Sequence, residues 1–297
     1  MDERYGLRLR QTIATRKITS FIGVYDVFSA SVAAKHFDGL FIRGFGLAAS
    51  DDGLPDIGFI TWTDMVNYVQ RIRTILPDHH LVVYIDDGYC NAEVACHVVA
   101  MLERIGASAV VLEDQKRPRR CGHFSGKQLM DLEPFLEKLE QVLATRRDLY
   151  VIARTDATDH DDRLRRVEAF AHCGADAVLC DGLDDLNRLP SIRDAARRPV
   201  MFNQIAGGKS PGATLSELAT LGVSLVNYST PCLFAAQQAM DEAMTSLRRA
   251  DGKLPDATTD GVGVAACTAL LKENLARRDT AFGVEPIRLS PKAAPVD

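Results

Sequence analysis

The chain has 297 residues, 46% of them hydrophobic and 25% charged, with a formal net charge of -5. That size and apolar content suit one large globular domain or two small ones, and the scattered basic residues give no support to a nucleic-acid or membrane surface. Seven cysteines with no C-x-x-C spacing speak against a disulfide framework or a structural zinc site and fit a reducing cytoplasm.

From the N-terminus, residues 1–16 are charged and lack an apolar core, so they carry no targeting signal. Beyond them, short apolar or β-branched runs alternate with stretches of helical period. The predicted strands are 21–25, 39–42, 81–85, 109–112, 150–153, 177–180, 200–203 and 225–228. The predicted helices are 27–36, 62–76, 92–105, 126–144, 163–173, 215–221 and 232–249, with Gly106, Gly174 and Gly222 as stops. No stretch approaches the roughly 20 apolar residues of a membrane span. Strands this apolar have no wet face, so the alternation predicts a closed parallel (β/α)8 barrel, a TIM barrel of the α/β class. The barrel is assigned to 1–252, and 253–297 to a linker, a C-terminal helix at 263–278 and a loose tail.

In such a barrel the chemistry lies at the C-terminal ends of the strands. Those ends carry Asp26, Arg43, Asp86 with Asp87, Glu113 with Asp114, Arg154 with Asp156, Asp181, Asn203 with Gln204, and Ser229. Each has a bland reading beside the functional one, since acids and asparagines also cap helices and satisfy turns. Asp114 and Asp156 serve equally well as acceptors for the amides of their own loops. Carboxylates converging from several strands are harder to dismiss, because like charges close together are costly without a cation.

The segment 112–123 adds a thiol. Arg119 and Arg120 precede Cys121 and favour its thiolate, and Gly122 lets the backbone approach a ligand, with His123 following. Other polar clusters read as structural: Cys90, Cys96 and His97 as a helix facing the packing layer, His79 and His80 as a solvated turn, and 159–162 as a capped loop before a helix. Lys209 lies in "GGKSP", which lacks the spacing of a nucleotide-binding loop.

Six motifs in order, "VYDVFSA" (24–30), "GFGLAAS" with "GLPD" (44–56), "DGYCN" (87–91), "LEDQ…PRRCGH" (112–123), "IARTDA" (152–157) and "GGKSP" (207–211), resemble the isocitrate lyase and phosphoenolpyruvate mutase superfamily. The resemblance implies a cytoplasmic enzyme acting on a small carboxylate, with Mg²⁺ holding the oxygens of an oxoacid. It also implies a homotetramer, with the C-terminal helix either exchanged between subunits or packed on its own barrel.

The Cys-Gly-His loop is similar to that of the methylisocitrate lyase branch. It therefore implies a retro-aldol-type carbon-carbon lyase that cleaves a 2-hydroxy di- or tricarboxylate and releases an oxoacid such as pyruvate or glyoxylate. Cys121 would protonate the carbanion, helped by Arg120 and His123, and Arg154 would clamp a carboxylate. Substrate contacts are expected from Arg43, Gly44, Phe45, Asp181, Asn203 and Ser229, and metal contacts from Asp56, Asp86 and Glu113. The alternatives are a phosphonomutase, an oxaloacetate-type hydrolase, or a silent oxoacid-binding homologue.

The chain departs from the family pattern at the metal. Tyr84 stands where the first acid of Asp-x-Asp is expected, and a phenol, with an ordinary pKa of about 10, is a poor ligand for a hard cation. Arg43 replaces a serine, Asp181 a glutamate and Ala206 another glutamate. One reading is that the Arg43 guanidinium takes over part of the metal's charge.

Overall fold

The computed structural model describes residues 4–118, 126–254 and 262–283. Eight parallel strands, β1 (Thr19–Val24), β2 (Gly39–Ile42), β3 (His80–Tyr84), β4 (Ala109–Glu113), β5 (Tyr150–Thr155), β6 (Ala177–Cys180), β7 (Val200–Gln204) and β8 (Val223–Tyr228), close into a barrel in chain order. The helices are α1 (Tyr5–Thr15), α2 (Val27–Ala33), α3 (Gly44–Leu47, running into a π-turn over Ala48–Asp52), α4 (Trp62–Ile75), α5 (Ala92–Arg104) and α6 (Leu132–Thr145). They continue with α7 (His160–Cys173), α8 (Leu189–Ala196), α9 (Leu215–Thr220), α10 (Pro231–Arg249) and α11 (Val264–Phe282).

Every residue of β2 to β6 is buried, as expected of strands covered on both faces. Alternation along each strand divides them into two layers. Val83, Val110, Leu112, Val151 and Val178 point outward and pack under the helices, while Phe41, Val82, Val111, Ile152, Leu179, Met201 and Leu225 fill the barrel interior. The same period carries the interior layer upward to Arg43, Tyr84, Glu113, Arg154, Asp181, Asn203 and Asn227, so a polar ring at the barrel mouth follows from strand geometry. Gly23 lies at the β1–β8 seam, where a Cβ would stand 1.9 Å from the Ser229 carbonyl oxygen, so only glycine lets the seam close.

Several expectations change. The charged N-terminal stretch is helix α1, and its fully buried Leu9 joins the interior cluster from below, while Arg10 lies over the Tyr150 ring and reaches Asp148 and Asp176. His80 is not a solvated turn residue. It opens β3, is buried, and bonds Thr12 through Nε2 at 2.9 Å. Cys90 is exposed in the loop before α5 rather than buried on the helix.

The helix expected from 126 starts only at Leu132, because Gln115 bridges Leu129 and holds that stretch extended. Helix α8, short and opened by a proline, is absent from the sequence reading. The capped loop at 159–162 holds, with Asp159 accepting from the Asp162 amide at 2.9 Å. Helix α11 lies on α2 and α4 of its own chain, where Asn274 donates to Ser31 at 2.8 Å. The loose tail expected at 289–297 lies outside the described residues.

Candidate active site

Arg154 is the centre of the mouth layer. It leaves β5 directly opposite Glu113 of β4 in register, and its Nε stands 3.2 Å from Glu113 Oε2. Its Nε and Nη2 edge engages Asp156 at 2.9 and 3.1 Å, and Nη2 also reaches Asp181 Oδ2 at 2.8 Å. The Tyr84 ring lies against the guanidinium at 5.0 Å, a cation–π contact. Burial alone would lower the Arg154 pKa, but Asp156 and Asp181 outweigh it and hold the group firmly charged. Burial likewise works to raise Asp156, and Arg154 with Lys127, whose Nζ is 2.7 Å away, reverses it and keeps the carboxylate ionised.

The ring continues through amides. Asn203 donates to Asp181 Oδ1 at 2.8 Å, Asn227 donates to the Asn203 oxygen at 3.0 Å, and the Ser229 hydroxyl donates to that oxygen at 2.6 Å. Asp181, Asn203 and Ser229 thus meet in one hydrogen-bonded chain. The sequence reading missed Asn227, although its position two residues before Ser229 on an alternating strand marks it. It also missed Lys127 and Gln115, the latter bonding both Glu113 and Asp156 at 3.3 and 3.2 Å.

Beneath this ring lies a structural layer, as the bland reading allowed. Asp114 accepts from the Asp156 amide at 3.1 Å and pairs with Arg166 at 3.0 Å. Burial raises its pKa to about 6, with a Thr155 hydrogen bond acting against it. Asp26 caps α2 in a capping box with Ser29. Asp87 is held by Arg117 at 2.7 and 3.0 Å, and its carbonyl accepts from Lys138 at 2.8 Å, which fixes the β3–α5 loop.

Arg43 caps the barrel end of β2 and is buried, with its guanidinium 5.1 Å from the Phe45 ring on the first turn of α3. Among the described residues it makes no ion pair, so its charge is not matched as that of Arg154 is. Gly44 is buried beside it. Arg120, Cys121 and His123 lie outside the described residues. Among the described residues the one buried thiol is Cys180, which burial drives to a pKa of about 12 and which faces the helix layer.

The residues do not fit the expected magnesium. Tyr84 presents a phenol at the position of the direct ligand. Of the acids expected at the metal, Glu113 gives one oxygen, Oε2, to Arg154 and Gln115, while the neighbouring Asp156 and Asp181 have both oxygens committed to Arg154, Lys127 or Asn203. Asp86 is buried with a left-handed backbone (φ 54°), its carbonyl accepting from the Glu113 amide, and Asp56 is buried in the loop before α4. Among the described residues no group of three His, Cys, Asp or Glu is placed to hold a metal ion.

A cavity of about 360 Å³ opens beside the ring, between the β7–α9 loop and the start of α10, lined by Gln204, Ala206, Gly208, Ser210, Tyr228 and Pro231. The larger groove, about 1520 Å³, lies at the opposite end of the barrel under α1, α4 and α5, and no mouth residue lines it.

A closed parallel barrel with its charged side chains gathered at the strand C-termini is an enzyme scaffold. The family model described as phosphoenolpyruvate phosphomutase matches residues 9–248, and the chain belongs to this family, part of the phosphoenolpyruvate mutase and isocitrate lyase superfamily. It is 30% identical to 2,3-dimethylmalate lyase of Eubacterium barkeri, over 86% of this chain and 88% of that one. It is also 30% identical to 2-methylisocitrate lyase of Shewanella oneidensis, over 83% and 86%. A solved 2,3-dimethylmalate lyase superposes with a TM-score of 0.87 at 27% identity, covering 98% of this chain and 99% of that one. Oxaloacetate acetylhydrolase bound to 3,3-difluorooxalacetate gives 0.86 at 27% identity, over 96% and 99%.

Proposed function

We propose that the protein is a carbon-carbon bond lyase that cleaves a small 2-hydroxy di- or tricarboxylate and releases an oxoacid such as pyruvate or glyoxylate. The observation that carries this reading is the arginine-centred polar ring at the strand C-termini of a barrel whose sequence relatives are named as dimethylmalate and methylisocitrate lyases.

The chemistry needs charge stabilisation at two places. A base takes the proton of the 2-hydroxyl, the oxygen electrons form the oxoacid carbonyl, and the adjacent carbon-carbon bond breaks, leaving its pair on a carbon next to a carboxylate. Fixed cations facing that carboxylate stabilise the transition state without reorganising. Arg43, buried and without an acidic partner among the described residues, is the group suited to receive a substrate carboxylate, and its planar fork allows two parallel hydrogen bonds.

The fork edge of Arg154 already holds Asp156, so this residue acts as the fixed charge at the centre and as the support of the acids around it. Asn203 and Ser229, bonded to each other, offer neutral polar contacts. Cys121 is assigned the final proton transfer to the carbanion on the strength of its sequence alone.

The assembly is proposed to be a homotetramer. Helix α10 runs for 19 residues without a buried side chain and exposes Met240 and Met244, a face that a second copy would cover.

The test is a panel of 2-hydroxy di- and tricarboxylates, with oxaloacetate included, assayed for released pyruvate, glyoxylate and oxalate. Oxoacid release that falls steeply in Cys121→Ser supports the lyase. Hydrolysis of oxaloacetate without cleavage of any hydroxy acid contradicts it.

A further inference from the structure

We propose that fixed guanidinium charge replaces the divalent metal in this barrel: Tyr84, stacked on the acid-matched Arg154, closes the direct-ligand position, and Arg43 presents the positive charge that faces the substrate. The proposal rests on the oxoacid reading of the mouth given above.

Three observations carry it. The first is the Tyr84 side chain, which points into the barrel interior with its ring centre 5.0 Å from the Arg154 guanidinium carbon. A ring in that position places aromatic surface and a phenol oxygen where a magnesium ion would need a carboxylate. A magnesium ion next to it would also stand close to a guanidinium that is firmly charged.

The second is the direction of the acids. Glu113, one of the acids expected at the metal, turns its Oε2 to the Arg154 Nε at 3.2 Å, and the adjoining Asp156 and Asp181 have both oxygens engaged by protein donors. These carboxylates serve as the counter-charge of an arginine. A buried arginine without them would be prohibitively costly, and three buried acids without the arginine equally so.

The third is Arg43. Ile42 pairs with Val83 in register, so Arg43 follows on the strand next to Tyr84. Its guanidinium is buried over the Phe45 ring with no ion pair among the described residues. One strand position has lost an acid and its neighbour has gained a base, so the sign of the change is the same at both. Two guanidinia flank Tyr84, one neutralised by three acids and one not, and the second has the capacity to bind an anion.

The test uses the purified full-length chain and Mn²⁺ alone, followed by electron paramagnetic resonance, so that its outcome does not depend on knowing the substrate. The native protein is expected to bind Mn²⁺ no more tightly than millimolar. Tyr84→Asp is expected to bind about tenfold or more tightly than native, and Asp86→Asn in that background to weaken it again. Micromolar Mn²⁺ binding by the native protein, weakened by Asp86→Asn, overturns the proposal. If Tyr84→Asp folds, as judged by its circular dichroism and melting, yet acquires no Mn²⁺ affinity, the role given to Tyr84 is overturned.

Should that variant fail to fold, the native titration decides alone. A second arm measures calorimetric binding of oxalate in EDTA, where retained binding that weakens about tenfold in Arg43→Gln supports the cation half of the proposal. Oxalate binding that appears only with Mg²⁺ overturns it. No oxalate binding in either condition overturns the oxoacid reading itself, and the Mn²⁺ titration still answers the metal question.

Discussion

Arg154 shows how far residue-level chemistry was readable from sequence. Its place at a strand end, and the acids at the neighbouring strand ends, follow from period-two alternation in "IARTDA" and its neighbours. Its stacking on Tyr84 and its use of Asp156 as an internal partner do not, because both depend on which strands adjoin and how the barrel staggers. Replacing Arg154 with methionine leaves Glu113, Asp156 and Asp181 buried around an empty centre. That change is expected to cost on the order of 3–5 kcal/mol in urea unfolding and to abolish turnover, and unchanged stability would contradict the cluster.

His80 supplies a pH prediction of definite sign. Burial first, then Arg8 and Arg73, lowers its folded pKa from 6.5 to about 4. Between those values the unfolded chain holds a proton that the folded chain refuses, so acidification through this window favours unfolding. Asp114 acts in the opposite sense. Its folded pKa of about 6 against 3.8 unfolded means the folded state takes the proton first as pH falls. Urea midpoints across this range should decline less steeply with acid in His80→Gln than in the native protein, and more steeply in Asp114→Asn.

At the scale of elements, strand positions were legible because buried parallel strands are short continuous apolar runs, and eight of the helices because their apolar stripe or their capping residues mark them. Helix α1 was not, because its single fully buried apolar residue, Leu9, is surrounded by arginines that serve the barrel floor rather than solvent. That account predicts that Leu9→Ala, which opens a void beneath Phe21 and Tyr150, lowers stability by about 3 kcal/mol. Catalytic rates at moderate temperature should be unchanged, since the mouth lies at the other end of the strands. A loss of rate without a loss of stability would contradict this placement. Helix α8 escaped for a different reason, since eight residues opened by a proline carry too little periodic signal to distinguish them from a loop.

The whole molecule is a barrel whose interior is apolar below and charged above, with helices α10 and α11 leaving apolar side chains outside. Met240 and Met244 of α10 and Phe282 of α11 are all more than half exposed, at 57%, 60% and 63%. Light scattering is expected to give four times the chain mass of 32.6 kDa, and a monomer or dimer mass would contradict the proposed assembly. The fold itself was legible from the alternation of strands and helices, and the family from six motifs in order. The metal expectation could be questioned from Tyr84 and Arg43 in the sequence, but the Arg154 guanidinium against the Tyr84 ring became visible only once the strands were placed in register.

The central claim is that an arginine-centred mouth performs carbon-carbon cleavage without a divalent metal. It is tested most directly by measuring oxoacid release from the hydroxy-acid panel with saturating EDTA and again with added Mg²⁺. The account predicts release at the same rate in both. Release that requires Mg²⁺, or no release from any member of the panel, would contradict it.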